Sequence, residues 1–147
     1  IEALPAPDFV QDALSLPPKN RLVYKVQRVQ CADGLPIAMV VNYLVASQVP
    51  SLDKYVNTFS GLYRFLERQY DIKLTSGWEF ISAINADFIE SQILRIPMGA
   101  PLLYTKRITH TALGPLEYGT SKLVADKYEY SVYLDGRVLN GETGLAK

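Results

Sequence analysis

The chain nearly repeats itself at an offset of 79 residues, and an internal copy limits the folds open to it before any other feature is read. In the first copy Arg28 leads to a turn through Ala32-Asp33-Gly34-Leu35-Pro36, then Ile37, and closes on Leu44-Val45-Ala46. In the second, Arg107 leads to a turn through Ala112-Leu113-Gly114-Pro115, then Leu116, and closes on Leu123-Val124-Ala125. The glycine sits one place later the second time. Each copy reads as strand, turn, strand. A solenoid needs three or more units, so the expectation is two related β elements facing each other, with a pocket at their interface.

The remaining pattern supplies helices. Residues 1–20 carry four of the nine prolines around Phe9, Val10, Ala13 and Leu14, which reads as a linker holding one short helix. Strand character follows over Leu22–Val29 and from Ile37 to Ala46, with Asp33-Gly34 supplying the reversal. Ser51 is a candidate N-cap for a helix carrying Leu52, Tyr55, Val56 and Phe59, which Gly61 interrupts. A second helix carries Leu62, Tyr63, Phe65, Leu66 and Tyr70. Strand character returns over Ile72–Ala83. Asn85-Ala86-Asp87 caps a third helix, Phe88 to Leu94, and three strands follow at Leu102–Thr109, Leu116–Val124 and Tyr128–Leu134. Strands joined by short turns are antiparallel, so the order predicts an α+β domain with one mostly antiparallel sheet. Gly136–Lys147 reads as a further edge strand or a tail.

Composition excludes several functions. A chain of 147 residues is long enough for one domain with its own core. The single cysteine, Cys31, rules out an internal disulfide and a cysteine-rich zinc site; it fits a reducing cytosol and is expected as a small buried thiol. Fifteen basic and fifteen acidic residues cancel, and no Lys/Arg run offers the patch that nucleic acid requires. No apolar stretch is long enough for a membrane span, and the start lacks a signal-peptide pattern. The first residue is Ile1 rather than Met, from which a preceding domain is expected.

Three residues break the apolar pattern where a ligand could use them. Arg28 shares a strand face with Leu22, Tyr24 and Val26, where a guanidinium must be paired or must meet an anion. Glu117 shares its face with Gly119, Ser121 and Leu123, and the two small neighbours leave room beside the carboxylate. Tyr63 reads as core by its spacing, with a hydroxyl that needs a partner if buried. Arg107, beside Leu103, Thr105 and Thr109, reads first as a structural ion pair. His110 is the one histidine and has no nearby Asp, Cys or second His to make a triad or metal site. No P-loop, Rossmann glycine pattern or zinc spacing occurs, so no cofactor or metal is expected.

Taken in order, Arg28 before Ala-Asp-Gly-Leu-Pro-Ile, Gly61-Leu62-Tyr63-Arg64-Phe65-Leu66-Glu67, Leu94-Arg95-Ile96-Pro97-Met98-Gly99, and Gly114-Pro115-Leu116-Glu117-Tyr118 leading to Asp126-Lys127-Tyr128 resemble the UTRA domain. That domain is the effector-binding half of GntR-type bacterial transcription regulators of the HutC subfamily. The resemblance spans roughly residues 20–135, so the expected division is linker remnant at 1–20, UTRA domain at 21–135 and tail at 136–147. It implies a chorismate-lyase-like sheet of about six strands, a homodimer, a small-molecule effector, and operator DNA bound in the cytoplasm through an N-terminal winged helix-turn-helix outside this chain.

The resemblance carries over to individual residues unevenly. Members that bind phosphosugars have two arginines flanking one residue in the first strand, a serine before the Leu-Tyr of the helix, and Glu and Tyr from the penultimate strand. Here Arg28, Tyr63 and Glu117 match, while Gln30, Gly61 and Leu123 replace the second arginine, the serine and the tyrosine. A dianion collects several charge-assisted hydrogen bonds, so these replacements weaken a phosphosugar reading and bring a sugar or an organic acid level with it. Two alternatives follow from the same residues: an enzyme acting like chorismate lyase, against which Gln30 argues, and a purely structural dimerisation domain in which Arg28 and Glu117 are satisfied by the protein and no cavity remains.

Overall fold

A computed structural model describes residues 1–133. The strands are β1 (Glu2–Pro5), β2 (Leu22–Ala32), β3 (Leu35–Val45), β4 (Ser76–Asn85), β5 (Pro101–Thr111) and β6 (Gly114–Val124). The helices are α1 (Asp8–Ala13), α2 (Leu62–Tyr70) and α3 (Phe88–Leu94). All six strands form one antiparallel sheet in the order β1-β2-β3-β6-β5-β4.

The sequence repeat is a structural one, and it is longer than its motif. Adding the 79-residue offset to β2 and β3 gives the bounds of β5 and β6, and β1-α1 precedes the first pair as β4-α3 precedes the second. Two β-α-β-β units therefore meet along β3 and β6. Val41 pairs with Thr120, its own equivalent in the other unit, so an approximate two-fold axis passes between them. Even the irregularities recur, with register shifts at Gln30/Cys31 and at Thr109/His110. The hairpin turns differ. Asp33 and Gly34 both take positive φ, 49° and 76°, the demand of a tight two-residue reversal, whereas in the second copy the positive φ of 105° falls on Gly114.

Side-chain alternation and the register divide the sheet into two faces. One face carries Val23, Tyr43 and Val45 under α1, where Val10 and Leu14 are sealed from solvent. The same face carries Leu102 and Val124 under α3, which brings Leu94. Asp87 starts α3 with a capping box: its side chain accepts from the Glu90 N–H, while the Glu90 carboxylate accepts from the Asp87 N–H. The opposite face is covered at one end by α2, whose Leu62 and Leu66 pack on Tyr24, Val26 and Leu44. Burying each such leucine contributes about 1.5–3 kcal/mol. The rest of that face stays open enough to hold a cavity.

Several expectations are corrected. Residues 1–20 hold the anticipated helix but also β1, which pairs with β2 from Glu2↔Lys25 to Pro5↔Leu22. The helix expected after Pro50 is a single 3-10 turn, Leu52–Tyr55, and Ser51 is no N-cap, since it lies at φ 59° and makes no capping bond. Aromatic packing is what the helical spacing had registered: Phe59 stacks on Phe65 at 4.4 Å, and Tyr55 lies 5.1 Å from Phe65. The strand expected from Ile72 begins at Ser76, because Ile72 turns into the core beneath α2. Residues 128–133 form no strand; 134–147, with the expected end of that strand and the tail, lie outside the described residues. Cys31 is exposed, since it sits at the hairpin end beyond the core.

Candidate functional site

The open sheet face is organised in rows running across the strands. One row is Tyr24, Leu44, Glu117 and Thr109; the next is Asn42, Gly119, Arg107 and Glu79; the third is Arg28, Val40, Ser121 and Thr105. Polar groups thus reach this face from five strands, β2 to β6. The start of α2 and the segment after β6 lie against them and enclose a cavity of about 260 Å³. Small-molecule sites run from roughly 300 Å³ upward, so the space suits a compact ligand.

Glu117 is the centre of the site. It is fully buried, which an isolated carboxylate would not tolerate, and three donors converge on it. The Asn42 amide donates to Oε1; the Tyr63 hydroxyl, 2.7 Å away, and the Thr109 hydroxyl, 3.0 Å away, donate to Oε2. Asn42 then accepts from Arg28 through Oδ1 at 3.1 Å, so one amide joins cation to anion. Gly119 fits closely beside this link. A Cβ there would lie 3.0 Å from both the Asn42 amide nitrogen and the Glu117 oxygen.

The two repeat-related arginines live in different surroundings. Arg107 faces Glu79 across β4 and β5, and its Nε and one terminal nitrogen donate to Glu79 Oε1 at 3.2 and 2.6 Å. Its other terminal nitrogen lies 3.5 Å from the Tyr63 hydroxyl. Burial works against the Arg107 charge, but the bonds to Tyr63 and Glu79 outweigh it and hold its pKa above the usual value. Arg28 has its pKa pushed down by burial, with the Glu117 and Tyr63 charges opposing the shift. Among the described residues its Nε is sealed from solvent without a partner, and Asn42 is its one side-chain bond. Burial and the neighbouring Glu117 hold the Tyr63 phenol well above the ordinary tyrosine value, against the opposing effect of Arg107.

All seven residues singled out from sequence line this one cavity: Arg28, Gln30, Gly61, Tyr63, Arg107, Glu117 and Leu123. Arg107 is also the structural ion pair anticipated for it. Four further participants were not foreseen. Asn42 had a signal, as the one amide in the apolar run from Ile37 to Val45. Alternation puts Thr109 on the correct face without pointing to a role. Glu79 needs the β4–β5 register, and Tyr130, whose hydroxyl donates to Glu79 Oε2 at 3.1 Å, lies in a segment whose alternation reads as a strand. Among the described residues no cluster of three His, Cys, Asp or Glu could hold a metal.

Comparison with known proteins places the chain. The family model of the UTRA domain matches residues 1–129. The chain belongs to the UTRA domain family. This UTRA domain is 27% identical over 114 residues to the HTH-type transcriptional repressor NagR of Bacillus subtilis, covering 77% of the chain and 46% of that protein. It is 28% identical over 131 residues to PhnF of Escherichia coli, named as a probable transcriptional regulator, covering 87% and 53%. The chain therefore spans about half the length of these curated relatives.

Solved structures share the fold at low identity. PhnF from Mycobacterium smegmatis superposes with a TM-score of 0.83 at 19% identity, over 92% of this chain and 58% of that one. A GntR-family regulator from Enterococcus faecalis V583 gives 0.78 at 22%, over 90% and 95%. The architecture is the chorismate-lyase-like α+β fold of regulator C-terminal domains. No helix among the described residues is long and apolar enough to cross a membrane.

Proposed function

We propose that this UTRA domain is the effector sensor of a bacterial transcription regulator of the HutC subfamily, with the effector held in the cavity over Glu117. One observation carries the reading: a buried, fully bonded carboxylate and a partly bonded guanidinium, Arg28, are built into the wall of an open cavity. A purely structural domain would be expected to close that space, and its sheet would need no such network. Arg28 anchors an acidic group, Gln30 and Ser121 supply neutral hydrogen-bonding groups, and Tyr63 links the ligand's floor to α2.

Operator DNA is bound by a winged helix-turn-helix outside this chain, in a cytoplasmic homodimer that acts as a repressor. The identities to NagR and PhnF support the regulator part of this reading. Ligand control follows only if the effector binds two arrangements of the dimer unequally, since equal affinity shifts nothing. A lyase reading has weaker support. The relatives are regulators, and the two cavity arginines face two carboxylates rather than an excess of anion-binding groups.

A thermal-shift screen against sugars, phosphosugars, hydroxy acids and aromatic acids tests the sensor reading. A ligand at 100 times its Kd stabilises by about 2.7 kcal/mol, a rise of several degrees at this size. A hit lost in Arg28→Ala supports it. Hits that persist unchanged in Arg28→Ala place binding elsewhere and overturn it.

A further inference from the structure

We propose that Glu79 sets the charge an effector can carry, by committing Arg107 to an ion pair and leaving Arg28 as the one uncommitted cation of the cavity among the described residues, so that the site selects a singly charged carboxylate over a dianion. The inference rests on the reading of this cavity as the effector site. It deepens that reading by naming the ligand class.

The two arginines differ in how many of their donors are already spent. Of the five N–H donors of Arg107, two point at Glu79 Oε1 and a third at the Tyr63 hydroxyl. Glu79 is fixed in turn by the Tyr130 hydroxyl on its second oxygen. The ion pair joins directly opposed residues of β4 and β5, so the backbone register holds it in place. Arg28, its counterpart across the internal two-fold, spends one bond on Asn42 and keeps a sealed Nε unpaired. The terminal N–H groups that Asn42 leaves unspent form the end of a planar fork at the cavity wall, which matches the two oxygens of a carboxylate, whereas the sealed Nε does not face the ligand space.

Charge balance gives the selectivity. Arg28 and Arg107 are offset by Glu79 and Glu117 in the cavity lining, leaving no net charge. A monoanion adds one negative charge beside a free guanidinium. A dianion adds two to a site that already contains two carboxylates and has only one cation to offer, and repulsion in a partly desolvated cavity is costly. Glu117 cannot relax this, because its oxygens already take three donors. Glu79→Gln removes one carboxylate charge, raises the lining to a net positive value and releases Arg107 toward the ligand space.

Two inert anions test this without knowing the effector. Acetate and inorganic phosphate at pH 8 are titrated into the ¹⁵N-labelled chain, and the arginine Nε–H signals are followed by NMR. In the wild type, acetate shifts the Arg28 signal and phosphate binds no more tightly. In Glu79→Gln the phosphate-to-acetate affinity ratio rises at least tenfold, and in Glu79→Asp it stays near the wild-type value. An unchanged ratio in Glu79→Gln, including no binding of either anion, overturns the proposal. So does a wild-type preference for phosphate of tenfold or more, a result that stands even if the variant does not fold. The sensor reading fails separately: an effector screen without a cavity-dependent hit would sink it while leaving the anion preference and its reversal intact.

Discussion

Asn42→Ala is the most informative perturbation of the site, because a single amide joins Arg28 to Glu117. The substitution removes a donor from a fully buried carboxylate and the one side-chain acceptor that Arg28 uses among the described residues. A hydrogen bond to a charged group contributes about 1.5–3 kcal/mol, and stranding a buried partner brings the upper end of that range into play. Tyr63 and Thr109 still hold Oε2, and Arg28 can turn toward the cavity, so the loss stays below that of a fully broken buried ion pair, roughly 3–5 kcal/mol. The expected cost is therefore about 3 kcal/mol, or about 6–12 °C in Tm for a chain of this size. Urea denaturation followed by tryptophan fluorescence and circular dichroism measures it, with the midpoint falling and the slope unchanged. A double-mutant cycle with Glu117→Gln should return a coupling of 1 kcal/mol or more. A cost under about 0.5 kcal/mol with no coupling would refute the argument that this network holds the sheet's centre together.

Three further outcomes follow. Gly119→Ala forces its Cβ against the Asn42–Glu117 bond, so it should destabilise by about 1–3 kcal/mol where a glycine-to-alanine change in an open strand would not; a stabilised variant in the urea assay would contradict the tight approach. Tyr63 has a raised pKa when folded, so its contribution is intact below the ordinary tyrosine value of 10.0 and is lost as pH rises above it. Wild-type stability should then fall relative to Tyr63→Phe above that pH, by at most about 1.4 kcal/mol per unit, and parallel curves would refute the assignment. Thr109→Val leaves Glu117 short of one donor at nearly constant volume and should cost about 1–2 kcal/mol in the same denaturation assay, against no change if the hydroxyl bond is incidental.

The fold was legible because its strongest determinant is written twice. Arg28 and Arg107, with Leu44-Val45-Ala46 and Leu123-Val124-Ala125, mark equivalent places in two units, and period-two alternation then put Arg28 and Glu117 on definite faces. What stayed hidden depended on contacts between distant segments. The two units meet through β3–β6 pairing, and nothing local to Val41 announces that its neighbour is Thr120. Glu79 read as one charge in a half-polar strand until the register set it opposite Arg107. Tyr128, Tyr130 and Val132 alternate as a strand does, yet the tyrosines line the cavity wall and no sheet edge takes the segment up. Leu52, Tyr55, Val56 and Phe59 have helical spacing, but Ser51 and Asn57, both at positive φ, bound only a single 3-10 turn.

Calorimetric titration of the strongest ligand from the thermal-shift panel, into wild type and into Arg28→Ala and Arg28→Lys, tests the central claim most directly. The account predicts one saturable site per chain, at least a hundredfold loss in Arg28→Ala, and partial retention in Arg28→Lys, which keeps the charge but not the fork. Equal affinity in wild type and Arg28→Ala would contradict it, because the cavity over Glu117 would then not be where this domain senses its ligand.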